Sequence, residues 1–386
     1  MEVNVFSRKE YIRRLERAYE LMEANDFDAL FISGEENYTY FTGAKSLVPW
    51  LSFTRPVFVI IPLRNEPVVI THSALLEDTR KSSRIGDVRV YSSRDVPLGR
   101  SPVNLLVEVF REKGLSKGRI GAELGYEQRL GFPFLDFIKL KKALSDVDFV
   151  DASSLLWRLR MIKSAEEIAF IGKACEVTGR ARQRCFSEIE AGMTEREVAR
   201  LFFKFMFEEG ADKGGFVHIV SGSLSESTMK PTDKPLRKGE TLYIDGGCYI
   251  RDYTCDYSRI ATIGVPSDEQ VKLHEIICEV NRKMIELYKP GTRTSKIARV
   301  CLRELKKKGF LLSGVGRVGH GQGMLITEPP SVSELDDTVL EPGMVVSSEP
   351  YIITDHDVFI WEDVIAIRED GCEILTEGEP TELVTI

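Results

Sequence analysis

Thr241-Leu242-Tyr243-Ile244-Asp245-Gly246-Gly247-Cys248-Tyr249-Ile250-Arg251-Asp252-Tyr253-Thr254-Cys255-Asp256 is the stretch that decides how the second half of this 386-residue chain is read. An apolar run ends on an acid, passes two glycines and returns to a second acid. Read as a hairpin with its apex near Ile250 and Arg251, it sets Asp245 opposite Asp256. Directly opposed Cβ atoms in an antiparallel pair lie about 4.5–5.5 Å apart. A second segment repeats the design. Val345-Val346 precede Glu349, Phe359-Ile360-Trp361 precede Glu362, and the polar Thr354-Asp355-His356-Asp357 lies midway. Folding about that turn sets Glu349 opposite Glu362.

Two carboxylate pairs on two hairpins raise an electrostatic problem. Close carboxylates repel and raise each other's pKa, so four converging ones call for cations. Two hard divalent ions roughly 3.5–4 Å apart, bridged by carboxylates, meet that need. The competing reading is a set of unrelated surface acids, because the chain carries 60 Asp and Glu. The apolar flanks on both hairpins argue against it. His320, in Val318-Gly319-His320-Gly321-Gln322-Gly323, is a candidate ligand. Its flanking glycines let backbone approach closely, which suits a metal site or an anion equally. Gly314, Gly316 and Gly319 also match a dinucleotide-binding fingerprint, but the lysine-rich helical stretch before them is the wrong context for one.

Outward from these segments the chain reads as two modules. Ser7 and Glu10 have capping-box spacing ahead of a helix. Ala29–Ile32, 57–61, 68–70 and 119–121 read as strands and 104–113 as a helix, which makes an α/β module of residues 1–155. Ser164 with Glu167 and Thr194 with Glu197 repeat the capping device and open a second domain, 156–386. There residues 241–263 and 345–367 read as β-rich, with helices near 268–288 and 296–308.

Composition narrows the function classes. A net charge of −8, with 43% hydrophobic and 29% charged residues, describes a soluble globular protein and argues against a nucleic-acid partner. No apolar run is long enough to span a membrane. The start Met1-Glu2-Val3-Asn4 lacks the pattern of a signal peptide. The 7 cysteines, irregularly spaced, read as reduced thiols of a cytoplasmic protein.

Asp245, Asp256 eleven residues on, Gly319-His320-Gly321, Glu349-Pro350 after Pro342-Gly343-Met344, and Glu362-Asp363 together resemble the pita-bread metallopeptidases. That family includes prolidase, aminopeptidase P, methionine aminopeptidase and the non-peptidase creatinase. Asn37-Tyr38-Thr39-Tyr40-Phe41-Thr42-Gly43 resembles a motif of the N-terminal domain in the creatinase and prolidase branch. Leu159 to Glu167 resembles the opening of its catalytic domain.

The resemblance implies an α+β protein: a creatinase/prolidase-like N-terminal α/β domain, then a pita-bread domain whose curved antiparallel sheet is covered by helices. It implies that Asp245 chelates one ion, His320 and Glu349 the other, and that Asp256 and Glu362 bridge both. Glu349 would also move the proton of the attacking water. The ligand set suits Mn²⁺ or Co²⁺, with Fe²⁺ or Zn²⁺ as further candidates.

The chain departs from the peptidases at three places. Two substrate-binding histidines of the family are absent, with Thr228 and Thr327 nearest their positions. Ile360 replaces an arginine usual two residues before the last Glu. Each loss removes a donor facing developing oxyanion charge. His218 and Thr327 are the candidate catalytic substitutes, and Thr228, Tyr351 and His356 the candidate substrate-binding residues. His72 and His274 look structural. The activity implied is Xaa-Pro dipeptidase or aminopeptidase action. The alternative is C–N hydrolysis of a small amidine, cyclic amidine or amide, as in creatinase-like and ectoine-hydrolase-like relatives. A homodimer is implied, with Tyr40 and Trp50 as candidate contacts.

Overall fold

The computed structural model describes residues 6–44, 54–311, 316–376 and 382–386. Trp50 and Gly314 lie outside them. The chain divides into two compact units, Met1–Arg160 and Met161–Ile386.

The first unit is built on six strands: β1 (Ala29–Ile32), β2 (Phe58–Pro62), β3 (Val68–His72), β4 (Asp87–Tyr91), β5 (Gly118–Ala122) and β6 (Val147–Asp151). They form one mixed sheet in the order β4-β3-β2-β1-β5-β6. β1 to β3 are buried along their whole length, which is why they read as continuous apolar runs rather than alternating ones. Phe31 stacks on Phe58 and meets Phe110, Phe132 and Phe149 edge-on. Helices Val103–Glu112 and Phe134–Ala143 bring Leu106, Phe110, Phe137 and Leu140 to that cluster.

The helix Ser153–Met161 runs across the expected domain join. In the second unit both capping boxes expected from the sequence are complete. Ser164 and Thr194 accept from the Glu167 and Glu197 amides, and both glutamates bond back. Each such cap contributes about 1 kcal/mol. The helices they open, Ala165–Glu188 and Glu195–Glu208, pack on β7 (Lys213–Ser221) and β8 (Thr241–Ile250). β8 also carries β9 (Tyr253–Thr254) and pairs with β10 (Tyr257–Thr262).

A second antiparallel sheet follows. β11 (His320–Gly321), β12 (Glu328–Ser331), β13 (Val345–Ser348), β16 (Asp363–Arg368) and β17 (Gly371–Ile374) are ordered β12-β11-β13-β16-β17. The hairpin of β14 (Tyr351–Ile353) and β15 (Val358–Ile360) extends β13 and β16, and β18 (Val384–Thr385) runs parallel to β10. Helices Asp268–Ile285 and Thr294–Lys307 share one core with both sheets: Ile277 and Leu305 lie in the same cluster as Tyr243, Val346 and Ile365. Arg259 of β10 ties the sheets together, donating to the Glu362 carbonyl and, at 2.8 Å, to Asp363.

The registers settle the two hairpins differently. Tyr351 pairs with Ile360 and Ser348 with Asp363. Glu349 and Glu362 therefore fall at one level, between the two ladders, as the turn at 354–357 predicts. In the other hairpin the turn lies one residue later than expected. Arg251 and Asp252 both have positive φ, 50° and 70°, the backbone of a two-residue turn whose twist matches its strands. Ile250 pairs with Tyr253, and Asp245 with Ser258 rather than Asp256. The two aspartates are diagonal neighbours on one face, not directly opposed.

Candidate metal centre

The structure gathers Asp245, Asp256, His320, Glu349 and Glu362 where the two sheets meet. Asp245 ends the apolar half of β8, and Asp256 sits in the break between β9 and β10, its amide donating to Gln322 Oε1 at 2.7 Å. The Asp245 carboxylate acts electrostatically on Asp256 despite the diagonal register. His320 Nε2 lies 3.3 Å from Asp256 Oδ2 and 3.7 Å from Glu349 Oε2. Its Nδ1 faces the Gly321 carbonyl at 3.0 Å. Nδ1–H therefore donates there, and the Nε2 lone pair points at the acids.

The glycines around His320 serve backbone packing. A Cβ on Gly319 would stand 2.2 Å from the Ser347 carbonyl oxygen, and one on Gly321 2.2 Å from that of Pro329. The Glu349 amide donates to the Val318 carbonyl at 2.9 Å, locking the glycine-rich segment to the second hairpin. Asp363, beside Glu362, is held by Arg259, Asn281, Trp361 and Thr376. It is a brace rather than a member of the cluster.

Burial raises the carboxyl pKa of Asp256 and Glu362 well above the ordinary range, and the neighbouring carboxylates raise it further. Glu349 is also raised by burial, while His320 and Arg317 pull it down. The hydroxyl of Tyr243, buried beneath them, is raised by burial and then by the same four acids. Such a cluster is stable as charges only around cations.

The donors fit metal ions. Asp245 Oδ1, Asp256 Oδ1 and Glu362 Oε1 are buried acceptors without a hydrogen-bond partner among the described residues. One ligand atom each of Asp256, His320 and Glu362 lies within 4.8 Å of the others. Orphaned anionic oxygens around one imidazole suit hard or borderline divalent ions. The cluster opens on one side, where Glu349 keeps 21% of its side-chain surface and His218 keeps 42%.

The other predicted residues divide. β7 places His218 opposite Asp245, with Nδ1 3.2 Å from Asp245 Oδ2. That hydrogen bond, ahead of the opposing effect of burial, raises the imidazole's pKa. Thr327 accepts from Arg317 Nη2 at 3.4 Å. Tyr351 is buried on β14 within the field of Glu349. Thr228 is exposed, and its hydroxyl donates to the Lys230 carbonyl at 2.8 Å.

His356 does not join the site. It is exposed at the tip of the β14–β15 hairpin, about 20 Å along the strand from the level of the glutamates at ~3.3 Å per residue. The polar turn that fixes the register also carries His356 away. His274 packs edge-on against Trp361, and His72 caps a 3₁₀ turn.

Three contributors escaped the sequence reading. Gln322 fixes the Asp256 backbone. The buried pair of Lys163 and Glu328, 3.3 Å apart, braces the loop that carries Thr327, and Glu328 also accepts from the Met324 and Leu325 amides. Arg317 acts on Glu349. Its signal was visible, since it is the only charged residue from Ser313 to Gly323.

Comparison with known proteins agrees with this geometry. The model of metallopeptidase family M24 matches residues 169–369, and that of the creatinase/prolidase N-terminal domain matches 14–162. The chain is 29% identical over 373 residues to an Xaa-Pro dipeptidase of Pyrococcus horikoshii, covering 95% of this chain and 97% of that one. A dipeptidase of the same description from Pyrococcus furiosus is 28% identical, with 95% and 98% covered. Among solved structures, the X-Pro aminopeptidase of Thermotoga maritima superposes with a TM-score of 0.81 at 26% identity, covering 96% and 99% of the chains. The prolidase of P. horikoshii gives 0.81 at 27%, covering 95% and 99%.

Proposed function

The chain belongs to metallopeptidase family M24, and on that premise we propose that it is a metal-dependent hydrolase of Xaa-Pro peptides. Membership implies divalent metal ions. The observation that carries the reading is the convergence of Asp245, Asp256, His320, Glu349 and Glu362 around unpartnered buried oxygens. The similarity to Xaa-Pro dipeptidases supports the substrate class.

In this reading Asp245 would hold one ion, His320 and Glu349 would hold the other, and Asp256 and Glu362 would contribute to both. Oxygen-rich ligation with one imidazole favours Mn²⁺ or Co²⁺. When bound, two such ions supply an acidified water and a Lewis acid for the scissile carbonyl. Glu349, on the open side, takes a proton from the attacking water and returns it to the leaving proline nitrogen. His218 holds Asp245 in place through its 3.2 Å contact. Thr327 and Tyr351 offer hydroxyl donors on the substrate side. A homodimer in the cytoplasm completes the reading. Among the described residues no helix is long and apolar enough to cross a membrane.

The threonines at 228 and 327, where the peptidases carry imidazoles, are what favour the second reading, hydrolysis of a small amidine or amide. Assays of Mn²⁺- or Co²⁺-loaded protein on Xaa-Pro dipeptides, Xaa-Pro tripeptides and cyclic amidines decide between them. Peptide turnover is expected. Amidine turnover without peptide turnover at any metal loading overturns the peptidase reading. Glu349→Gln should lower kcat by about 10²–10⁴-fold, and full activity of that variant would remove Glu349 from its role.

A further inference from the structure

Ile277, Val280 and Met284 lie on the buried face of the helix Asp268–Ile285, and Asn281 sits among them, 2% exposed. A polar side chain on such a face costs stability unless its hydrogen bonds are met. Both ends of this amide are met, and by residues of two different strands. Nδ2 donates to Asp363 Oδ2 at 2.7 Å, and Oδ1 accepts the Ser348 hydroxyl at 2.6 Å. Only one orientation of the amide serves both. Asp363 accepts from Arg259, Trp361 and Thr376 as well, so its carboxylate faces the NH₂ end.

Ser348 and Asp363 are register partners on the last rung of the β13–β16 ladder. Glu349 follows the one and Glu362 precedes the other. Past that rung no strand pairing spans the glutamates until Tyr351 meets Ile360. In the gap the Glu349 amide turns away to Val318, and the Trp361 N–H reaches the Pro350 carbonyl only at 3.4 Å. Strands joined so loosely are free to splay where the two acids must converge. The Ser348–Asn281–Asp363 bridge lies one residue, about 3.3 Å, from that level. Among the described residues Asn281 is the one side chain hydrogen-bonded to both. An apolar residue would pack as well against Ile277 and Met284 and would leave the strands uncoupled.

We propose that Asn281 is a positioning residue of the metal centre. From the helix it clamps the residues beside Glu349 and Glu362 and so fixes the separation of the two carboxylates. The proposal rests on the reading of these glutamates as metal ligands and on nothing about the substrate.

The test is a competitive chelator titration with Mn²⁺ of wild type, Asn281→Leu, Ser348→Ala and the double variant. The temperature is held well below the metal-free melting point of each, so that unfolding does not enter. Asn281→Leu should weaken Mn²⁺ binding about 10- to 100-fold, the loss expected when a group that orients ligands is removed. Ser348→Ala opens one side of the clamp and should cost a smaller factor in the same direction. The double variant should bind no more weakly than Asn281→Leu, because two changes to one contact do not add.

Wild-type affinity in Asn281→Leu overturns the proposal, and a lower metal-free Tm beside it would make Asn281 a structural support only. Losses that add in the double variant would mean two separate supports and overturn the clamp. If Asn281→Leu does not fold, Ser348→Ala decides: weakened binding supports the proposal and unchanged binding overturns it. A wild type that binds no Mn²⁺ is a different failure. It overturns the metal-centre reading itself, needs no variant to be recognised, and takes the proposal with it.

Discussion

The two acid-bearing hairpins carry one cluster but are built for different tasks. In the β8–β10 hairpin the pairing is held by a tight turn at Arg251-Asp252, and both aspartates are buried. Their short side chains meet across a diagonal. In the β13–β16 hairpin the glutamates lie level with one another, but the ladder is interrupted there. The Glu349 amide leaves the hairpin to bond Val318, and Pro350 follows. Glu362 stays buried, with Arg259 on its carbonyl, while Glu349 keeps partial exposure. In the proposed function the first hairpin is a fixed floor of ligands, and the second holds one fixed ligand and one that faces substrate. Shape and function part at Glu349, where the ladder opens.

That contrast is broken most severely by removing a buried acid. Asp256→Asn and Glu362→Gln should each abolish stoichiometric metal binding, measured by elemental analysis after dialysis. Each should also lower kcat/KM by at least about 1,000-fold, as expected when the metal-activated nucleophile is lost. A variant that keeps full metal content and activity would show that the fixed acids are not ligands.

Metal removal should have the next largest effect. The carboxyl groups of Asp256, Glu349 and Glu362 are raised chiefly by burial, and the Asp245 carboxylate raises each of them further. For such groups the folded pKa exceeds the unfolded value. The stability they contribute is complete below the unfolded value near ~4 and is lost as pH rises through the folded values. Metal-free protein should therefore melt at lower temperature at alkaline than at mildly acidic pH. Ions at about 100–1,000 times their Kd add about 2.7–4.1 kcal/mol, or about 5–15 °C in Tm for a unit of this size. Calorimetric scans across pH should show the gap between metal-loaded and metal-free protein widening as pH rises. A metal-free Tm that climbs with pH would contradict the crowding of these acids.

How much of this was legible follows from where each signal lies. The second hairpin could be read because four polar residues separate two apolar triplets, so its apex had one place to be. The first could not be read to the residue, because positive φ at Arg251 and Asp252 has no glycine to mark it. Strands and capped helices left local periodicity and box spacing in the chain. The bracing contacts left none. Gln322 on the Asp256 amide, Arg259 on Asp363, and Lys163 on Glu328 join residues far apart in sequence. Arg317 was visible as a lone charge among glycines, but that its charge acts on Glu349 follows only from the fold.

His218 tests the floor more gently. Its imidazole orients Asp245 from β7, and removing a residue that orients a ligand costs about 10-fold or more in metal affinity. His218→Gln should weaken metal binding by about that factor in a competitive chelator titration, with a smaller effect on kcat at saturating metal. A loss of kcat at full metal occupancy, with affinity unchanged, would instead make His218 a group that acts on substrate.

The smallest expected effect isolates the turn. Arg251→Asn with Asp252→Gly installs the pair that most readily adopts positive φ at both positions. Glycine at Asp252 relieves the cost of a left-handed conformation but adds freedom to the unfolded chain, and the two effects oppose each other. The net change should stay within about 0.5 kcal/mol, with activity and metal affinity unchanged, because the pairing of Asp245 with Ser258 is kept. Inserting one glycine between 251 and 252 would instead let the return strand slip by one residue. Since a one-residue slip turns every side chain to the other face, Asp256 would leave the cluster and metal binding would fail. If the insertion keeps full metal affinity, the diagonal meeting of Asp245 and Asp256 does not depend on this turn, and the fixed floor must be held by the Gln322 contact on the Asp256 amide instead.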